Sequence, residues 1–435
     1  MKILFCVEFY YPSIGGAQEV VRQLAEHMVL RGHAVSVATS CVEHRKALTH
    51  NGVNIVEFAV SGNSVRGLQG EVRRYQSFLA DGEFDVVMFY AAQQWTFDAA
   101  WPVMSSIKAR RVLVPCGYSA LYDEAYRTYF ESLPAVLRLM DAVIYHAEDY
   151  RDVRFGRLHG LRNDVMIPNG ADLDEFDVPR EPGFRRQVSA TDSALVLLTV
   201  GTMTGRKGHL ELAQAFSIAD FKGRKAVLIL NGNVPDDSAK SRSILMQLPD
   251  LIREYGWVYA ARHSTKMLLK ALGIDVGRSR SFQDWVKRIN REQRRNKHVV
   301  VVDMPRRQLI QAYLNADLFV FASNVEYSPL VLFEACAAGL PFLTVPVGNA
   351  QEIVAWTGGG EICEATVDEQ GYTHVSPVTL ARRIEEMVAN TDELALLGRR
   401  AREASKRRFN WQIISAEYEC LFARLTTSVS PKQVA

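Results

Sequence analysis

Two glutamates separated by seven residues, Glu326 and Glu334, are the side chains whose type and spacing point most directly to chemistry. Ser328 and Pro329 stand between them, and an Ala/Gly-rich run follows. Asp317-Leu-Phe-Val-Phe-Ala-Ser323 reads as a buried strand that opens into a loop. Pro329 suits the first turn of a helix, which would run through Leu330, Val331 and Ala335 to about Ala338. Glu326 then lies in the loop and Glu334 about one turn into the helix. Between them sits a helix amino end, whose N–H groups attract phosphate. Carboxylates beside an anion site need a reason, and accepting hydrogen bonds from ribose and sugar hydroxyls is one that fits.

Other loops supply the complementary groups. Gly201-Thr-Met-Thr-Gly-Arg206-Lys207-Gly208 follows an apolar run and reads either as a solvated basic turn or as a site with a compact charge at Lys207 and a fork at Arg206 for pyrophosphate oxygens. Its order excludes a Walker A loop. Tyr11-Pro-Ser-Ile-Gly15-Gly16 lies between the first strand and the first helix and reads either as a plain strand–helix turn or as a loop whose two glycines permit positive φ and close backbone approach to a ligand. It lacks the spacing of a dinucleotide fingerprint. Pro346-Val-Gly348-Asn349 reads either as a helix entrance to the same site or as a plain turn, and Asn169-Gly170 reads as a structural turn. The ten histidines are scattered, and neither a metal-binding spacing nor a nucleophile elbow occurs. The six cysteines include no CxxC pair, which fits buried thiols in a reducing compartment.

Short apolar runs alternating with helix-like segments position these loops. Ile3–Val7, Ala34–Ala38, Val53–Phe58, Val86–Tyr90, Val112–Val114 and Ala142–Tyr145 read as strands, with amphipathic stretches such as Glu19–Leu30 between them. A second series begins at Ala194–Gly201 and continues with Ala226–Leu230, Val299–Val302, Leu318–Phe321 and Phe342–Val345. The expected class is α/β: two Rossmann-like domains with parallel sheets. The first spans 1–172, a linker 173–193, the second 194–408, and a tail helix in 409–435 packs back on the first. With 435 residues the chain is long enough for two cores, and a net charge of +2 does not mark a nucleic-acid binder. The chain start reads as a strand rather than a signal peptide, and no apolar run is long enough to span a bilayer.

Residues 235–298 separate two strands by more than a crossover needs. Within them Ser281 reads as an N-cap, and Phe282, Trp285, Val286 and Ile289 share one helical face. Lys287, Arg288, Arg291, Arg294, Arg295 and Lys297 form a basic run beside it. The segment admits two readings: an ordinary domain helix, or a peripheral contact of 281–297 with an anionic membrane presenting a lipid-linked acceptor.

Taken in order, these features resemble the retaining, nucleotide-sugar-dependent glycosyltransferases of family 4, which have the GT-B fold of two facing Rossmann-like domains. The resemblance rests on Gly15-Gly16, Ile167-Pro-Asn-Gly-Ala-Asp172, Val200–Gly208, Ala316–Val320, the spaced glutamates and Gly348-Asn-Ala-Gln-Glu352. It implies a donor site in the interdomain cleft. Glu334 would hold ribose hydroxyls and Glu326 the sugar hydroxyls. Gly201 and Ser328 would join the donor site, the backbone of Pro329, Leu330 and Val331 with Lys207 would face the diphosphate, and Gly15 and Gly16 would approach the diphosphate or acceptor from the other domain. Glu326, Lys207 and Arg206 would carry catalysis, without metal or cofactor beyond the nucleotide-sugar co-substrate. The acceptor would be a glycan, a lipid-linked sugar or a small molecule in surface polysaccharide or glycoconjugate synthesis, at a cytoplasmic location. Two positions depart from the family. Thr202 stands where Arg is usual, with Arg206 as the substitute. Pro115-Cys116-Gly117-Tyr118 stands where a His-Gly pair is common. Cys116, Gly117 and Tyr118, with Tyr122 and Asp123, form the expected sugar or acceptor loop. The alternatives are a sugar-phosphate synthase of the same fold and a non-catalytic sugar-nucleotide-binding subunit.

Overall fold

The computed structural model describes residues 1–232, 278–292 and 296–427. Much of the expected insert, including Arg294 and Arg295, therefore lies outside the described residues. The chain divides into two compact units, Met1–Asp172 with Arg408–Ala435 and Leu173–Arg407.

The first unit is built on an eight-stranded sheet. Its strands are β1 (Lys2–Cys6), β2 (Ala34–Ser40), β3 (Thr49–His50), β4 (Val53–Phe58), β7 (Val86–Tyr90), β8 (Arg110–Val114), β9 (Ala142–Tyr145) and β10 (Asp164–Met166). A separate two-stranded ribbon joins β5 (Val60–Ser61) to β6 (Gln69–Gly70). The order across the large sheet is β10-β9-β8-β7-β1-β2-β4-β3, parallel except for the β3–β4 pair. Val86-Val-Met-Phe-Tyr90 is buried throughout, the continuous apolar run of a strand covered on both faces. Helix α1 (Gly16–Leu30) lays Val20, Val21, Leu24, Ala25 and Met28 on the core at helical spacing. Helices α2 (Val72–Asp81), α3 (Trp95–Asp98), α4 (Arg127–Leu137) and α5 (Arg151–Leu158) complete the cover.

The C-terminal helix Trp411–Thr427 belongs to this unit. Glu419 accepts hydrogen bonds from Arg31 (3.2 Å) and His33 (2.7 Å), and Ile414, Tyr418 and Phe422 are buried. Gly170 serves that junction: a Cβ there would lie 2.5 Å from the Ile414 side chain and 2.8 Å from the Phe409 carbonyl.

The second unit holds a six-stranded parallel sheet: β11 (Leu195–Val200), β12 (Ala226–Asn231), β13 (Lys297–Val302), β14 (Leu318–Phe321), β15 (Phe342–Thr344) and β16 (Gly360–Ile362), in the order β13-β12-β11-β14-β15-β16. Around it lie α6 (Phe184–Gln187), α7 (His209–Ile218), α8 (Arg278–Arg291), α9 (Arg306–Asn315), α10 (Leu330–Ala338), α11 (Ala350–Thr357), α12 (Pro377–Ala389) and α13 (Thr391–Arg407). A short hairpin joins β17 (Thr366–Val367) to β18 (Thr373–His374). Residues 173–193 are not a bare linker: they belong to this unit and carry a 3-10 turn at Asp174–Phe176 as well as α6. The chain runs outward from β11 through β12 to β13, then returns to β14 on the other side. The strand order thus reverses between β11 and β14, the switch point at whose carboxyl ends open sheets bind ligands.

Ser281, expected ahead of the helix, lies within the range of α8. Ile289 is buried, and the Phe282 ring packs edge-on to His209 of α7 at 6.3 Å. Part of the apolar face thus packs on the unit, while Phe282, Trp285 and Val286 stay half-buried. Arg288 pairs with Glu292 at 2.9 Å and lies over the Trp285 ring. Among the described residues no helix is long and apolar enough to cross a membrane.

Candidate functional site

The loops after β11 and β14 meet at the switch point of the second sheet. Gly208 closes the first loop in the left-handed region at φ 70°, and a Cβ on it would lie 1.9 Å from the Ala322 carbonyl oxygen. Only glycine permits both the turn and that approach. The Asn324 N–H donates to the Arg206 carbonyl at 2.9 Å. A third loop joins them after β15. Gly348, at φ 56°, would put a Cβ 2.1 Å from the Tyr327 carbonyl, which accepts the Asn349 N–H at 2.8 Å.

This lacing brings Lys207 onto Glu326, with Nζ 2.5 Å from Oε1. The Ser323 hydroxyl donates to the same carboxylate oxygen at 3.0 Å. The pair is half-buried, its side chains 27% and 16% exposed. His209, next to Gly208, is buried, and neither ring nitrogen has a hydrogen-bond partner among the described residues. Burial, with the Lys207 charge second, pushes its pKa down to about 4, so it stays neutral beside the lysine at neutral pH.

Helix α10 opens directly after this pair. Pro329 is its N-cap, one position before the first turn, and no side chain caps the helix end. Leu330 and Val331 therefore have N–H groups with no carbonyl inside the helix to receive them. Gly339 ends the helix at φ 68°.

Glu334 is also tied to a cation. Its Oε1 accepts from Arg306 Nη1 at 2.5 Å and its Oε2 from the Tyr313 hydroxyl at 2.9 Å. Arg306 donates in addition to Glu175 at 2.5 and 3.0 Å, bridging two carboxylates, with its guanidinium 5.6 Å from the Phe176 ring. Sequence reasoning missed Arg306 and Tyr313. The signal available was the Pro305-Arg306-Arg307 helix opening, and nothing in the spacing linked it to a glutamate 28 residues later.

Arg206 does not join Lys207 and Glu326. It is exposed, and its guanidinium lies 5.5 Å from the Tyr372 ring with Nη1 3.5 Å from that hydroxyl. The hairpin bearing Tyr372 is fixed to the site by reciprocal bonds between Asn324 and Thr373 of 2.7 and 2.8 Å. Thr202, where an arginine was anticipated, is exposed and gives its carbonyl to the Thr204 N–H. Gly201 donates to the Asn231 carbonyl at 2.9 Å, and its own carbonyl is approached so closely by Gly232 that a Cβ there would lie 1.9 Å from it. Ser328 is half-buried on the turn ahead of α10.

The first unit treats its expected residues differently. Gly15 precedes α1 in an extended conformation (φ 175°), where a Cβ would meet only the flexible Gln18 side chain, and a Cβ on Gly16 would meet nothing within 4 Å. Positive φ is therefore not the reason for this pair, although Gly16 leaves open space. Cys116, Gly117 and Tyr118 form a left-handed run at φ 59°, 80° and 47°. Asp152 holds it by accepting the Gly117 N–H at 3.0 Å. Tyr118 does not face an acceptor: it is 1% exposed and packs edge-on to Phe130 and Phe155. Burial and the nearby Asp152 charge push the Cys116 thiol up, so it remains protonated. Cys41 and Cys420 are exposed, contrary to the expectation that the thiols are buried.

Comparison with known proteins adds to this geometry. The family described as glycosyl transferases group 1 matches residues 182–404, just over half of the chain. Over 241 residues the chain is 24% identical to spore coat protein SA of Bacillus subtilis, covering 54% of this chain and 58% of that protein. Over 197 residues it is 28% identical to a phosphatidyl-myo-inositol mannosyltransferase of Mycobacterium tuberculosis, covering 43% and 50%. The chain thus spans about half the length of the curated relatives it matches. Among solved structures, sucrose-phosphate synthase from Thermosynechococcus elongatus aligns with a TM-score of 0.68 at 18% identity over 98% of each chain. HepE of Anabaena in complex with UDP-glucose gives 0.64 at 15% identity over 98% of this chain and 100% of that one. WaaG, a glycosyltransferase of lipopolysaccharide biosynthesis, gives 0.61 at 16% over the same shares. At these identities the likeness is one of fold, that of the GT-B glycosyltransferases.

Proposed function

This chain belongs to the glycosyl transferases group 1, and on that premise we propose that it is a retaining, metal-independent enzyme of glycosyltransferase family 4. It would move a hexose-type sugar from a nucleoside diphosphate to a glycan, glycolipid or small-molecule acceptor in surface polysaccharide or glycoconjugate synthesis. The observation that carries this reading is the Lys207–Glu326 pair at the strand switch point, directly ahead of the uncapped amino end of α10. The solved complex of HepE with UDP-glucose supports a nucleotide-sugar as the donor class.

In this reading Lys207 and the N–H groups of Leu330 and Val331 receive the diphosphate and stabilise the charge that grows on it as the glycosidic bond breaks. Glu326, shared with Lys207 and Ser323, accepts sugar hydroxyls. Glu334 takes the ribose. An ionised carboxylate has about four acceptor sites, and bonds to Arg306 and Tyr313 occupy two of them. Those two bonds fix the carboxylate before the ligand arrives, which lowers the ordering cost of binding. In the retaining step the bond from the anomeric carbon to the phosphate oxygen breaks. The acceptor oxygen bonds on the same face, and the leaving phosphate oxygen takes its proton.

Glu334→Gln replaces an ionised acceptor by a neutral one that also carries a donor. Donor affinity, measured by calorimetric titration against UDP-, GDP- and ADP-sugars, should fall roughly ten- to hundredfold, the worth of a hydrogen bond to a charged group. Unchanged affinity would remove Glu334 from the donor site.

A further inference from the structure

The second unit has a cavity at the amino ends of its strands, the opposite end from Lys207 and Glu326. Its volume is about 540 Å³, and it is bounded where β11, β14 and β15 begin, at Leu195, Asp317 and Pro341. The carboxyl ends of α9 and α10 reach it at Ala316 and Ala338. Leu314, Leu340 and Leu394 give it an apolar floor, and Arg180, Arg224, Arg399 and Arg402 line it.

The charges here do not cancel. Asp317 is the sole acid among the described lining residues, and its two oxygens are already taken by Arg185 (2.8 Å) and the Val196 N–H (2.8 Å). Helix carboxyl ends attract cations, and this accounts for part of the cluster. Arg402 donates to the Ala337 carbonyl and to Asp177, and Arg224 uses its Nε on the Ser193 carbonyl at 3.0 Å. Arg180 and Arg399 have no hydrogen-bond or ion-pair partner among the described residues. Two unspent guanidiniums, with the outer nitrogens of a third, thus face one concave, part-apolar space. Like charges gathered this way favour a multivalent anion, and guanidinium forks match phosphate oxygens.

We propose that this cavity is a second ligand site, separate from the donor site, for a small molecule bearing phosphate with at least two negative charges, held by Arg180, Arg224 and Arg399 over the apolar floor. The concave shape favours a small phosphorylated compound over an extended anionic surface. Helix α10 opens beside Glu326 and ends at this cavity, so an occupant would touch the far end of the helix that carries Glu334.

Inorganic diphosphate is the probe, titrated calorimetrically into the full chain. Because the donor site should also take diphosphate, Lys207→Ala is the background. That protein should retain one binding event. Adding Arg180→Ala and Arg399→Ala should weaken it roughly tenfold or more, the effect of losing charge-assisted hydrogen bonds. Both arginines are exposed, so the unfolding midpoint should not move. Arg180→Lys with Arg399→Lys, which keep the charge without the fork, should fall between. Equal diphosphate binding with and without Arg180 and Arg399 overturns the proposal, and so does the absence of any binding in the Lys207→Ala protein. It is also overturned if the arginine substitutions abolish binding to phosphatidylglycerol vesicles and leave diphosphate binding intact, which would mark a membrane-facing surface. Loss of the Lys207-dependent event bears only on the donor reading, so the two ideas can fail separately.

Discussion

Asp98 shows how far one buried side chain can set the behaviour of its surroundings. It is 2% exposed and accepts hydrogen bonds from the Ser64 N–H at 3.0 Å and the Tyr129 hydroxyl at 2.9 Å. Both bonds favour the charged form, yet burial outweighs them and lifts its pKa from 3.8 to about 6. The folded chain therefore holds this proton more tightly than the unfolded one. The resulting stability is fully present below pH 3.8 and is lost as pH rises to about 6, with no further change above. At roughly 1.4 kcal/mol per pH unit of difference the effect is on the order of 3 kcal/mol. Urea unfolding of wild type and Asp98→Asn between pH 4 and about 7 should show the wild type losing ground to the variant across that window; a flat difference curve rules the assignment out. His146 and His209, each lowered to about 4 by burial, tilt the opposite way, which is why the comparison must be a difference between two proteins.

At the scale of elements, glycines separate geometry from sequence pattern. Gly15-Gly16 looks like a ligand loop, yet Gly15 is extended and needs no special backbone. Gly208 is the glycine on which the site depends. Gly208→Ala must bear a left-handed residue, costing roughly 1–2 kcal/mol, and a clash with backbone at Ala322 that cannot rotate away. Its destabilisation in urea should exceed about 2 kcal/mol, whereas Gly15→Ala should stay within about 0.5 kcal/mol. Comparable values for the two would show that the 201–208 loop is not held as described. Helix α8 carries a parallel lesson. Its apolar stripe has one helical periodicity, yet its members differ in burial: Ile289 is buried and Phe282 packs on His209, while Trp285 and Val286 stay half-buried.

For the whole molecule, the return of the C-terminal helix to the first unit has an energetic consequence. Trp411, Ile414, Tyr418, Leu421 and Phe422 are buried on that helix. Each large apolar side chain contributes roughly 1.5–3 kcal/mol by leaving water, and domains are stable by only about 5–15 kcal/mol. A chain ending at residue 407 should therefore lose protection in the first unit while keeping it in the second, as read by hydrogen exchange of Val86–Tyr90 against Leu195–Val200. Retained protection of Val86–Tyr90 would show that the first unit folds without the helix.

By itself the sequence determined what depends on local order. Buried parallel strands are continuous apolar runs and helices repeat every 3.6 residues, so the α/β class, both strand series and α10 at Leu330–Ala338 were legible. So were the loop positions of Glu326 and Lys207 and the helical position of Glu334, because strand ends followed by glycine and proline mark where loops open. The short strands β10 and β16, three residues each, lack enough periodicity to be seen. What the tertiary structure alone decided is which charge each group meets. Glu334 goes to Arg306 and Tyr313, Arg206 goes to Tyr372 and away from Lys207, and Tyr118 turns into the core. The arginines of the far cavity gather from positions 180 to 402. Such pairings join residues from separate crossovers of one sheet. Their distances are fixed by strand order and backbone approach, and spacing along the chain carries no record of either.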